Sequence, residues 1–214
     1  MNKILTLAIA AKSVLPAILL TVLWMPFLST ASAAELITDK VDWPKFLARQ
    51  DLVYAAPPTS WMAGAFMGNG QLGAMVYAIN HGKQMNWHIG RCDAYFNVAR
   101  AEFSGRIPIG DFTLQTTGAT QGGAMRLGLW NAEFTGTLKT DKGQVEILSY
   151  THAEQMVQVM ELTPDDGERD CRFDWRPGRA VSPRLLIKGK PVPANEKNPT
   201  PVTRAVDGVS LCTQ

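Results

Sequence analysis

Seven apolar runs of strand length follow one another between residues 71 and 162, at 71–79, 84–89, 107–117, 124–130, 133–140, 144–150 and 155–162. Between them stand Asn80-His81-Gly82, Thr117-Gly118, Gln121-Gly122-Gly123 and Asp141-Lys142-Gly143, all residues that turn a chain. The last is flanked by the clearest alternation, in which Val145 and Ile147 exchange with Gln144 and Glu146, so one face enters a core and the other meets water. Sustained helical periodicity does not extend beyond about ten residues in this part of the chain. The pattern predicts an all-β fold, an antiparallel β-sandwich over 61–163.

The first long strand is launched by Gly68-Asn69-Gly70-Gln71-Leu72-Gly73, three glycines and an asparagine within six residues. Such a stretch needs positive φ or a close approach of backbone to something else. It lies before a strand, whereas a phosphate loop follows a strand and opens a helix, so the order opposes a nucleotide site. A tight β-turn is the plain reading.

The start of the chain differs in kind. Lys3 and Lys12 precede an apolar run from Ser13 to Leu28, and Ser29-Thr30-Ala31-Ser32-Ala33-Ala34 supplies a small-residue cleavage site. This is the layout of a secretory signal peptide over 1–33, cut near Ala33. Pro16 and Pro26 interrupt the run, and its length falls short of the roughly 20 residues of a spanning helix, which opposes a stable membrane anchor. Export to the periplasm or beyond is the expectation. Removal of the leader leaves 181 residues with no formal net charge, so nucleic acid has no electrostatic claim as a partner.

A lead-in over 34–60 contains Asp42 to Gln50, suited to a short amphipathic helix or a capping turn, and the breaker Ala55-Ala56-Pro57-Pro58. The stretch 164–214 holds seven of the 13 prolines, which fits an irregular, linker-like end in which only 171–175 and 184–187 read as strands. Cys92, Cys171 and Cys212 lie where a disulfide persists, and one bridge with a free thiol or three buried thiols both fit. His81, His88 and His152 lack the close spacing of metal ligands, no Gly-x-Ser-x-Gly elbow occurs, and neither metal nor cofactor is expected.

Chemistry-bearing residues concentrate in 84–97, where Trp87, His88, Arg91 and Asp93 stand at a strand end and in the loop after it. A sugar site needs an aromatic face for the apolar side of the ring and planar polar groups for its hydroxyls. These four residues are the candidate substrate-binding set. They equally suit a strand with a buried Trp87 and an Arg91–Asp93 pair fixing the loop. A glycosidase also needs two carboxyls about 5 to 10 Å apart. Asp93, Glu102, Asp111, Glu133 and Glu161 are the available acids, and spacing along the chain pairs none of them.

GNGQLGAMVY at 68–77 resembles the opening of the N-terminal β-domain in glycoside hydrolase family 95, the α-L-fucosidase and α-L-galactosidase family, and in related bacterial proteins with an (α/α)6 barrel. MRLGLWNA at 125–132 is similar to that family's R-x-L-x-L strand, and THAEQMV at 151–157 to its S-x-x-D-x-V strand entry. The matches run in order across about residues 60–162. The segment 85–95 departs from the family's second strand and is closer to relatives ending a strand in G-x-x-D-A-[WY]. The resemblance implies part of a super-sandwich in an exported glycoside hydrolase that acts on oligo- or polysaccharide. It also implies a downstream (α/α)6 catalytic domain bearing the general acid, so that no catalytic residue falls in this chain, which is expected to be truncated before the barrel. The alternative is a free-standing exported carbohydrate-binding or structural sandwich without catalysis. A self-sufficient glycosidase using the acids named above is a third reading.

Overall fold

A computed structural model describes residues 40–96, 105–179, 181, 189 and 201–213. The chain divides into a leading unit, residues 1–41, and a second unit, residues 42–214, and the fold below is that of the second. The leader expected over 1–33 lies outside the described residues, as do Glu102 and the strand expected at 184–187. Among the described residues no helix is long and apolar enough to cross a membrane.

The lead-in forms helix α1 (Trp43–Ala48), where Asp42 caps by accepting the Lys45 N–H at 3.2 Å and Pro44 sits in the first turn. Strand β1 (Leu52–Tyr54) follows. Ten antiparallel strands then build two five-stranded sheets. Sheet A has the order β1-β6-β7-β8-β9, with β6 at Thr120–Gly128, β7 at Glu133–Thr140, β8 at Gln144–Thr151 and β9 at Gln158–Pro164. Sheet B has the order β10-β5-β4-β3-β2, with β2 at Ala65–Gly68, β3 at Leu72–Ile79, β4 at Gln84–Phe96, β5 at Gly105–Gln115 and β10 at Arg172–Pro177. The all-β sandwich read from the sequence is the fold observed.

Period-two alternation makes the core. In β3, Leu72, Ala74, Val76 and Ala78 are buried and the residues between them are not. They join Met85, Trp87 and Ile89 of β4 and meet Met125, Leu127, Phe134, Leu138, Val145 and Ile147 from sheet A. Trp87 stands edge-on to Phe134 and to Phe173, and its indole N–H donates to the Ser149 hydroxyl across the two sheets at 3.1 Å.

The glycine-rich turn is a structural clasp. The Asn69 side chain accepts the N–H groups of Gln71 and Leu72 at 3.0 and 2.9 Å, which closes the β2–β3 hairpin, and Gly70 takes φ +89°. The same side chain donates to the carbonyls of His152 and Gln155 at 2.9 and 3.0 Å, so a turn of sheet B is tied to the β8–β9 loop of sheet A.

A second clasp lies in the connection from β9 to β10. Glu168 is fully buried and accepts from the N–H of Thr117 and Gly118 and from the Thr140 hydroxyl. Burial pushes its carboxyl up, yet these three donors and the nearby Lys142 charge hold it below the ordinary range. One carboxylate thereby binds the β5–β6 loop, the β7–β8 hairpin and the β9–β10 connection.

The structure amends the expected limits of the sandwich. Strands β1 and β10 belong to it, so it reaches from Leu52 to Pro177 rather than 61–163. The region expected to be irregular also contains a regular hairpin, β11 (Val202–Val206) and β12 (Val209–Thr213), turned by Asp207 and Gly208 at φ 50° and 79°. All three cysteines are free thiols.

Candidate functional site

Register places the outward-facing residues of sheet B in rows across the strands. One row reads Phe66, Met75, His88, Asp111 and Arg176; the next reads Gly68, Gly73, Gly90 and Pro108. Three glycines side by side leave a strip of bare backbone on the surface. A Cβ on Gly90 would meet nothing within 4 Å, whereas one on Gly73 would come within 3.2 Å of the Phe66 ring, which leans over it. Two of them, Gly73 and Gly90, form the floor of a groove of about 510 Å³.

The walls come from both sides of that floor. Trp61, in the short 3-10 turn before β2, and Phe66 on β2 are each 60% exposed. At the other side stand Ile107 and Pro108 of β5 with Arg106, and Arg91 with Cys92 closes one end. On the β5 side Arg91 to Ala94 bulge out of register, because pairing jumps from Gly90↔Pro108 to Tyr95↔Arg106, while Arg91 keeps its pairing with Leu72 of β3. The bulge is anchored by the Cys92 N–H on the Gln71 carbonyl at 2.8 Å.

His88 enters the groove from the row behind the floor. Its Nδ1–H donates to Asp111 Oδ1 at 2.9 Å, which leaves Nε2 as the free ring nitrogen. Asp111 also accepts from the Asn86 amide at 2.9 Å, Asn86 in turn accepts from the Thr113 hydroxyl, and Arg176 donates to that hydroxyl at 2.8 Å. Burial raises the Asp111 carboxyl, but the bonds from His88 and Asn86 and the Arg176 charge hold it below its ordinary value. Burial, reinforced by the Asp111 charge, pushes the neighbouring Tyr77 phenol up. His88 is thus held in one ring orientation by an ionised partner.

The four residues singled out in the sequence part company. His88 and Arg91 line the groove. Trp87 points the other way, fully buried in the core on the opposite face of the same strand, and its place as a stacking surface is corrected: period-two alternation sends it inward when His88 points out. Asp93 is exposed on the bulge and pairs with Arg91 through two bonds of 2.9 and 2.6 Å. The Asp93 carboxyl is lowered and the Arg91 guanidinium raised, in each case first by that mutual hydrogen bonding.

Trp61, Phe66, Gly90 and Arg106 were not singled out. The signal for Phe66 was present, since Ala65, Phe66 and Met67 alternate before the glycine turn, and an apolar residue between two inward ones faces water. Among the described acids, Asp111 lies on the outside of sheet B, Glu133 and Glu161 belong to sheet A, and Asp93 rides the bulge. Among the described residues no cluster of His, Cys, Asp and Glu is arranged to hold a metal.

Fold and groove together define a two-sheet antiparallel sandwich with a glycine-floored cleft on one outer face. No protein-family model matches the chain, and no curated protein matches it.

Proposed function

We propose that this chain is the β-sandwich domain of an exported, carbohydrate-active glycoside hydrolase, a glycan-binding support whose catalytic groups lie on an (α/α)6 barrel beyond these residues. The observation that carries the reading is the groove itself, in which two exposed aromatic side chains flank a floor without side chains and polar groups stand at the far wall. A sugar ring offers an apolar face to an aromatic and its hydroxyls to planar polar groups, and bare backbone lets it lie close. In the groove a binding role is supported over hydrolysis, because Asp111 and Asp93 are each committed to a basic partner and neither is among the lining residues. The Ala-x-Ala leader supports export, with Ala34 as the expected first residue of the processed protein.

The second reading, a free-standing binding module, is favoured by a core closed between both sheets and bonded across them through Trp87 and Ser149. Calorimetry of the full chain against an oligosaccharide panel, with product analysis, tests both. Binding that Phe66→Ala weakens supports the groove, and cleavage of the bound sugar overturns a purely binding role. Coding sequence beyond Gln214 for a helical barrel with paired acids supports the hydrolase reading. An unrelated gene there leaves the module.

A further inference from the structure

We infer that the glycan taken by the groove is acidic, a short saccharide carrying carboxylates of the uronate type; this rests on the groove being a glycan site. The argument begins with charge. Two arginines, Arg91 and Arg106, line the groove, and no carboxylate is among its described lining residues. Arg91 is already engaged by Asp93 on the bulge. Arg106 is exposed, and among the described residues it forms no ion pair and no side-chain hydrogen bond.

Its position follows from the pleat. Arg106 is two residues from Pro108 on β5, and Pro108 opposes Gly90 of the floor, so Arg106 shares the outer face. Phe66 is on β2, three strands away, a span of about 14 Å at the ordinary spacing between strands. A ligand stacked on Phe66 and Trp61 that also reaches Arg106 is longer than one sugar ring. A guanidinium without a partner presents a planar fork of donors, which matches a carboxylate through two parallel bonds and matches lone hydroxyls poorly. Exposed hydroxyl-rich sugars need acceptors as well as donors, and the described lining offers few beyond Gln71 and the free nitrogen of His88. A pyranose carboxylate at the β5 wall and an apolar ring face at the β2 wall satisfy both sides together.

The test is calorimetry of the full chain with oligogalacturonate, with its fully methyl-esterified counterpart, and with a sulfated oligosaccharide of similar length. Oligogalacturonate is expected to bind about tenfold more tightly than the ester, as one charge-assisted bidentate contact would give, and to weaken as salt is raised. Arg106→Gln should bring the acid down to the level of the ester, and Arg106→Lys should restore part of the preference. Equal binding of acid and ester, or an unaltered preference in Arg106→Gln, overturns the acidic ligand while the groove remains a glycan site. Tighter binding of the sulfated probe overturns the carboxylate. Gly90→Leu fills the floor where a side chain meets nothing; if binding of every probe survives it, or if neither acid nor ester binds the parent chain, the groove reading itself falls.

Discussion

On the outside of sheet B, Asn86 and Thr113 are 2% and 1% exposed although they face away from the core. On the outside of sheet A, Thr135 and Glu146 occupy equivalent outward positions on central strands and stand in solvent. The sequence alternates in both sheets, and alternation settles only which residues turn inward. What separates the two outer faces is whether the outward side chains bind one another. Asn86, Asp111, His88, Thr113 and Arg176 form one connected set, whereas Thr135 and Glu146 make no side-chain hydrogen bond among the described residues. A connected polar set fixes side-chain directions, and beside it lies the groove.

The inward faces should behave alike. Trp87→Ala from sheet B and Phe134→Ala from sheet A each remove a fully buried ring, and each is expected to cost about 3–5 kcal/mol in urea unfolding. A small loss in one of them would mean that the sheets do not share a core. The outward faces should then diverge. Asn86→Ala strips a partner from both Asp111 and Thr113 and should cost about 1–3 kcal/mol. Thr135→Ala should stay within about 0.5 kcal/mol. Equal losses at these two positions would erase the distinction.

Acid should reveal the same contrast. Asp111 and Glu168 have folded carboxyls held below their ordinary values, so their contribution is present above the unfolded range and is lost as pH falls through the folded value. Stability is therefore expected to drop from about pH 4 downward. Glu168→Gln should lower stability at neutral pH and flatten that decline, as should Asp111→Asn. Unfolding midpoints measured across pH check this, and a parallel decline in Glu168→Gln would remove the carboxylate as its cause.

Much of this was legible in the chain. Turn residues and alternation were enough for the strands from β3 to β9, with β7 at its observed limits. Strands β1 and β2 were missed because three or four residues carry too little period to read. β4 was read as ending at Ile89 and runs to Phe96, since a bulge at Arg91–Ala94 breaks the alternation without ending the strand. For the site, residue type drew the eye to Trp87 and Asp93, while the pleat and a local ion pair withdrew them. Phe66 and Arg106 came into one groove through pairing across four strands, a long-range register that no local spacing encodes.

Gly73 and Gly90 oppose each other in the floor and give the finest test of the face they belong to. Neither needs a left-handed backbone, unlike Gly70, so what a side chain would meet at each position decides its cost. At Gly73 a Cβ would press on the Met67 carbonyl at 3.1 Å as well as on the Phe66 ring, and Gly73→Val should cost about 1–3 kcal/mol through the displacement it forces. At Gly90 the space is open, so Gly90→Val should be neutral or gain up to about 1 kcal/mol by stiffening a strand interior. Thermal melts of the two variants decide the matter. A gain at Gly90 means that folding does not demand this glycine, and that the floor is bare for something other than stability. A loss at Gly90 equal to that at Gly73 would return both residues to packing and leave the groove a by-product of the fold.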